Sequence, residues 1–335
     1  MRIRGKDGLL KIVGHDIQNV FQNLFKQRGK WRREAVQLKD FYTEDAAPAV
    51  NDMKIVVCMY DGRKKHGGLV DRFRGMISTY SICKEKGLNF KILFETPFRL
   101  YDYLVPNVID WRIQPEELSY NSNDSTAVFC GSNDTHVESP FQRLWLSQNF
   151  LKPFKQIHVY TNAHIERGKK FGELFHELFK PTDALQNEID RNLQAIGEEY
   201  IAVSSRFMAL LGDFEDCNNT TLSVSEREVI INKVLDKIKE IHRKDGRKIL
   251  VASDSVTFLN EACKLDFVYV VPGNVAHVDY AKGEKEDTWM KVFVDFFLLT
   301  HAKKIFLLQT GKMYYTGFPR RAAQVGGVPL KRITF

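Results

Sequence analysis

From Tyr200 onward, short apolar runs alternate with helix-length stretches, and this limits the possible fold more than any other feature. Tyr200-Ile201-Ala202-Val203-Ser204, Lys248-Ile249-Leu250-Val251-Ala252, Phe267 to Val271 and Lys304 to Leu308 have the length and apolar content of buried strands. Between and after them lie helical stretches at Val224 to Arg243, 256–263, 287–301 and 317–325, the first with Ser223 or Ser225 as a candidate cap. This repetition predicts a doubly wound α/β unit with a mostly parallel sheet. Its ligands would lie beyond the carboxyl ends of the strands.

A similar, less regular alternation begins at Lys54. Strands are expected at 54–60, 90–94, 109–112, 126–130 and 156–160, and helices near 70–87 and 139–151. Asn121 to Pro140 reads mostly as loop, and 167–197 as helical. The 335 residues are enough for two domains. The expected division is a basic helical segment over 1–50, a Rossmann-like domain over 51–197 and a second one over 198–335. In the first segment Leu9, Leu10, Ile12, Val13, Ile17, Val20, Phe21 and Leu24 recur at helical spacings. Lys26, Arg28, Lys30, Arg32 and Arg33 follow, and could touch an anionic membrane surface.

The net charge of +7 favours polyanionic partners such as nucleotide phosphates, nucleic acid or lipid headgroups. No RRM, KH, zinc-finger or basic-zipper pattern is present, so sequence-specific nucleic-acid binding is not expected. The five cysteines form no CxxC pair, and neither a convincing signal peptide nor a membrane-spanning run is visible. The expectation is a cytoplasmic protein, at most peripheral to a membrane. P-loop, full Gly-x-Gly-x-x-Gly and nucleophile–base motifs are lacking too, which disfavours ATPase, dehydrogenase and hydrolase chemistry.

The candidate chemistry lies where strands end. His66-Gly67-Gly68-Leu69-Val70-Asp71-Arg72-Phe73-Arg74-Gly75 follows an apolar run and opens onto a helix. Glycines there let a backbone approach a polar ligand, and a helix start favours anions. The later strand ends carry Ser205, Arg206 and Asp213, then Ser253, Asp254 and Ser255, then Gly273, Asn274 and His277, then Thr310, Lys312, Tyr314, Thr316 and Phe318. Such a rim suits a phosphorylated, hydroxyl-rich ligand. Alternatives remain at several positions. Asp254 could cap the next helix, Arg206 could pair with Asp213 or Glu215, and His277 could be a solvated loop residue. Asp295, within the apolar run Phe293 to Phe297, needs either a cationic partner or a place at the site. No metal-ligand spacing is evident.

In this order the segments resemble the fucosyltransferase-like GT-B superfamily, over roughly residues 52–335. The 66–75 stretch resembles the family's Gly-rich loop, Val203-Ser204-Ser205-Arg206 its His-x-Arg strand end, and Val251-Ala252-Ser253-Asp254-Ser255 its Ser-Asp segment. Asp295 through Thr316-Gly317-Phe318 resembles its acidic helix and Ser/Thr-x-Phe turn. The resemblance implies two Rossmann-like domains with the active site in the cleft between them. It implies transfer of a sugar, first among candidates fucose from GDP-fucose, to a glycan acceptor such as a surface polysaccharide, with inversion and without a metal or other cofactor. Arg206, Asp71 and Asp295 would be catalytic, with Asp213 a further candidate base. His66, Gly67, Gly68, Arg72, Asp213, Asp254, Ser255, Thr316 and Phe318 would bind the donor. Ser204 stands where the family has histidine. That departure leaves open another nucleotide sugar, or a non-catalytic nucleotide- or sugar-binding module.

Overall fold

The computed structural model describes residues 25–50, 52–131, 138–197, 199–215, 220–280 and 286–335. The amphipathic stretch expected before Phe25 lies outside them. The chain forms two compact units that interleave in sequence: Met1–Lys64, Arg74–Leu93 and Ile113–Ile165 in the first, Lys65–Phe73, Phe94–Arg112 and Glu166–Phe335 in the second. The 66–73 part of the Gly-rich segment and residues 166–197 thus group with the C-terminal unit.

The first unit has a four-stranded sheet in the order β2 (Asn89–Phe94), β1 (Ile55–Tyr60), β5 (Gln156–Thr161), β4 (Ser125–Cys130). The β1–β5 and β4–β5 pairs are parallel. Nearly every residue of β1 and all of β5 are buried, and β1 accordingly appears as an unbroken apolar run. Leu38, Val57, Met59, Leu93, Ile113, Ala127 and Tyr160 form a core here. Leu38 comes from the helix over 25–39 (α1). The helix α2 (Leu69–Lys86) follows the Gly-rich loop, and α3 (Glu138–Phe150) precedes β5.

His158 is one of three buried polar residues inside β5, beside Gln156 and Thr161. Its ring nitrogens meet the Tyr42 hydroxyl at 2.7 Å and Gln156 Oε1 at 3.0 Å. Burial, with the Arg63 charge second, pushes its pKa down from 6.5 to about 3. The unfolded chain protonates this ring near its ordinary value whereas the folded chain resists, so stability falls as pH drops through that window. The expected loss is on the order of 3–5 kcal/mol. Urea denaturation near neutral pH and near about pH 4 should show it, with a shallower loss in His158→Gln.

The second unit is built on a five-stranded sheet in the order β11 (Leu330–Thr334), β10 (Ile305–Gln309), β7 (Tyr200–Ser205), β8 (Lys248–Ser253), β9 (Val268–Tyr269), with every pair parallel. The chain runs outward from β7 through β8 to β9, returns to the other side of β7 for β10, and continues to β11. That is the doubly wound order, and its switch point lies between β7 and β10. Helices α6 (Val224–Asp245) and α7 (Val256–Ala262) pack against one face of the sheet, in a core with Val203, Val251 and Leu308. Ser223 rather than Ser225 caps α6, in a reciprocal box with Glu226. Helices α8 (Glu286–His301) and α9 (Phe318–Gly326) flank β10 in sequence.

Four expectations need correction. Residues 109–112 are not a strand, because Asp110 Oδ1 accepts from the Arg112 N–H at 3.1 Å and turns the chain. The strand lies earlier, where β3 (Leu104–Pro106) pairs antiparallel with β6 (Phe179–Pro181). Strand β6 also divides the 167–197 stretch into α4 (Gly168–Leu178) and α5 (Asp183–Ile196). Pro181 ends the strand and Thr182 caps α5. The strand expected over 267–271 is only two residues long, and the edge strand β11 was missed because charges interrupt its apolar residues.

Candidate active site

The carboxyl ends of β7, β8 and β10 bring three loops of the second unit together. Arg206 follows β7 at the switch point. Its guanidinium Nε lies 3.9 Å from Asp254 Oδ2, and its side chain is about one-fifth exposed (21%). It faces the rings of Phe214 at 5.6 Å and Tyr314 at 5.9 Å, while the Tyr314 N–H donates to the Arg206 carbonyl at 3.0 Å.

Asp254 does not cap the next helix. Its two carboxylate oxygens accept from the N–H groups of Phe207 and Met208, both at 2.8 Å. Met208 has φ of 55°, an uncommon conformation for a side-chain-bearing residue, so Asp254 holds a strained turn directly after Arg206. Burial raises the Asp254 carboxyl above its ordinary value; Arg206 and the two backbone N–H groups oppose that rise. The cap of α7 is Ser255, which accepts from the Phe258 N–H. Asp213 Oδ2 joins it, accepting from Ser255 Oγ at 2.8 Å and from the Thr257 N–H at 2.7 Å. After β10, the buried Thr316 hydroxyl accepts from the Phe318 N–H at 3.2 Å where α9 begins, and the Phe318 ring meets Phe296 edge-on.

The Gly-rich loop is clamped from a distant point in the sequence. Asp279 accepts from the N–H groups of His66 and Gly67, and pairs with Arg72 Nη2 at 2.7 Å. Both side chains of that ion pair are buried, at 4% and 6% exposure. Arg72 also donates through Nη1 to the Thr96 carbonyl at 2.7 Å. The Arg72 guanidinium, expected from the sequence to bind a donor, braces the loop, and the His66 ring is buried as well. Asp71 Oδ2 accepts from the Gly68 N–H at 3.2 Å.

Gly67 has φ of 87°, and a Cβ added there would lie 2.5 Å from Asp71 Oδ2. Gly67→Ala is expected to cost about 1–3 kcal/mol through strain alone. A drop in thermal midpoint would verify it. Gly75, at the end of the segment, sits so close to the Thr161 carbonyl that a Cβ would meet it at 2.1 Å.

His277 lies in a loop and is half-buried. Its Nδ1 accepts from the Asp279 N–H at 3.1 Å, and its ring lies 6.1 Å from Phe214 and 5.0 Å from Tyr280. With Nδ1 accepting, the neutral ring carries its proton on Nε2. A Cβ placed on Gly68 would be 4.0 Å from both His277 Nε2 and Asp71 Oδ2, so these two polar ends converge on Gly68. Sequence reasoning missed Asp279, whose Arg72 contact spans 207 residues. The one available signal was its place two residues after His277.

Asp295 does not join this group by any contact found among the described residues. It lies within α8, and its Oδ2 accepts from Lys291 Nζ at 2.8 Å, one helical turn away. Burial raises its carboxyl above the ordinary range and the Lys291 charge opposes the rise. The cationic partner that the sequence demanded is thus Lys291. Among the described residues, no helix is long and apolar enough to cross a membrane.

A parallel sheet in this doubly wound order, with an arginine at its switch point, is a Rossmann-like α/β architecture. The chain has the fold of the GT-B fucosyltransferases. The NodZ fucosyltransferase from Bradyrhizobium superimposes with a TM-score of 0.53 at 14% identity, covering 84% of this chain and 96% of that one. A NodZ α-1,6-fucosyltransferase structure co-crystallised with GDP gives 0.54 at 14%, covering 84% and 94%. Arabidopsis thaliana FUT1, as a mutant in complex with GDP, gives 0.52 at 12%, covering 94% and 78%. No protein-family model and no curated protein sequence matches the chain.

Proposed function

We propose that the protein is a glycosyltransferase that takes a sugar from a nucleoside diphosphate, first among candidates fucose from GDP-fucose, and passes it to a glycan hydroxyl with inversion. The observation that carries this reading is the position of Arg206. It stands at the switch point of the Rossmann-ordered sheet, on a turn that the Asp254 carboxylate holds by two backbone N–H groups. The GDP and GDP-fucose named for the NodZ structures supply the choice of donor.

In this reaction the acceptor oxygen attacks the anomeric carbon, the bond from that carbon to the diphosphate oxygen breaks, and the electron pair leaves with the diphosphate. Arg206 meets the charge that develops there, a role in which a guanidinium needs no metal. Thr316 and the start of α9 assist on the same phosphates. The acceptor proton goes to Asp71, which we take as the base. We choose it over Asp213 and Asp295 because Asp71, in the first turn of α2, faces the same point as His277. Gly67, Gly68 and Arg72 hold that loop in shape. His66 contributes through its backbone N–H.

Incubation with GDP-fucose tests the proposal. A transferase releases GDP by slow transfer of the sugar to water even without acceptor. A second reading, a nucleotide- or sugar-binding module without turnover, draws on Ser204, which is buried within β7 where the resembling family has histidine. Saturable GDP binding with no release of GDP from GDP-fucose would favour that second reading.

A further inference from the structure

One surface of the first unit is unrelated to nucleotide binding. Helix α1 packs on α3 through Trp31, whose ring lies 5.6 Å from Phe141 and 5.9 Å from Trp145. Beside that contact, Phe25, Arg28, Arg32, Val36 and Lys39 recur every three or four residues and so share one stripe of α1. Arg28 lies over the Trp145 ring at 5.6 Å, so this stripe flanks α3. On α3 the outward positions are Leu144 and Gln148, with Leu151 just beyond the helix end.

Lys152, just beyond the end of α3, feels the repulsion of two cations on α1. Its ammonium is pushed below the ordinary lysine range first by partial burial, then by the positive charges of Lys39 and Arg32. Lys152 therefore stands near Lys39 and Arg32, and none of the three is in an ion pair with another described residue. Glu34, the carboxylate within α1, is turned away to Lys64. On α1, on α3 and just beyond its end, four large apolar side chains are each more than half exposed: Phe25 (68%), Val36 (57%), Leu144 (53%) and Leu151 (62%).

Cations alone would suit any polyanion. Large apolar side chains exposed beside them suit an interface that is anionic at its surface and apolar beneath. We propose that the α1–α3 face docks on an anionic lipid surface, with Arg32, Lys39 and Lys152 at the headgroups and Val36, Leu151 and their neighbours reaching below them. This inference is independent of the transferase reading.

Co-sedimentation of the full chain with phosphatidylcholine vesicles, with and without added phosphatidylserine, tests it. Binding is expected only when phosphatidylserine is present, and should weaken with salt. Each basic residue near such a surface contributes roughly fivefold in affinity, so Arg32→Glu, Lys39→Glu and Lys152→Glu together should lower binding by about a hundredfold or more. The variant Phe25→Ser/Val36→Ser/Leu151→Ser keeps the charges and should also lose vesicle binding. Circular dichroism would show that both variants remain folded. Equal binding to neutral vesicles, or unchanged binding by either variant, would overturn the proposal. Binding to duplex DNA but not to vesicles would overturn it in favour of a nucleic acid. Self-association abolished by the serine variant, without vesicle binding, would overturn it in favour of a second copy of the chain.

Discussion

Asp279→Ala is expected to destabilise the second unit by about 3–5 kcal/mol, the usual consequence of leaving one partner of a buried ion pair alone. Arg72 is 4% exposed and would keep its charge while losing the carboxylate that pairs with its Nη2. The His66 and Gly67 N–H groups would lose the same acceptor. Because one carboxylate braces both the arginine and the loop, the effect should exceed that of an exposed ion pair, which contributes roughly 0–1 kcal/mol. Replacing both partners, Arg72→Met with Asp279→Leu, should recover part of the loss, since no unpaired charge remains. Urea denaturation followed by tryptophan fluorescence measures both variants. A single Asp279→Ala variant as stable as wild type would contradict the clamp.

Arg206→Ala has the largest expected effect on activity, and Arg206 is partly exposed, so the fold should survive. Removing a donor aimed at developing charge lowers turnover by roughly 10²- to 10³-fold. Arg206→Lys keeps the charge but loses the forked geometry, and should fall between alanine and wild type. Donor turnover, read as GDP release from GDP-fucose, separates the three. A near wild-type rate in Arg206→Ala would remove this residue from the chemistry.

The parallel strands were legible because burial on both faces turns them into largely apolar runs, as in β1, β7 and β8. Residues that directly follow such strands were legible too, and Arg206 and Asp254 were found in that way. Strands β3, β6 and β11 were not, because they are short or at an edge and carry charged residues. For Arg72 the sequence shows the residue but hides its partner. A guanidinium beside two glycines looks like a ligand contact until a carboxylate 207 residues away is found bonded to it. His277 was discounted since nothing in the surrounding sequence reveals that Phe214 and Tyr280 would flank its ring. Asp295 was posed correctly as a buried carboxylate in need of a cation, but the sequence left its choice open between a partner and the site.

Titration of wild type and Arg206→Ala with GDP and with UDP, read by thermal shift, bears most directly on the central claim that the switch point of the second unit binds a nucleoside diphosphate. The account predicts that GDP raises the midpoint of wild type in a saturable way, that UDP does so less, and that the alanine variant responds to neither. No response of wild type to either nucleotide, or an equal response from Arg206→Ala, would contradict it.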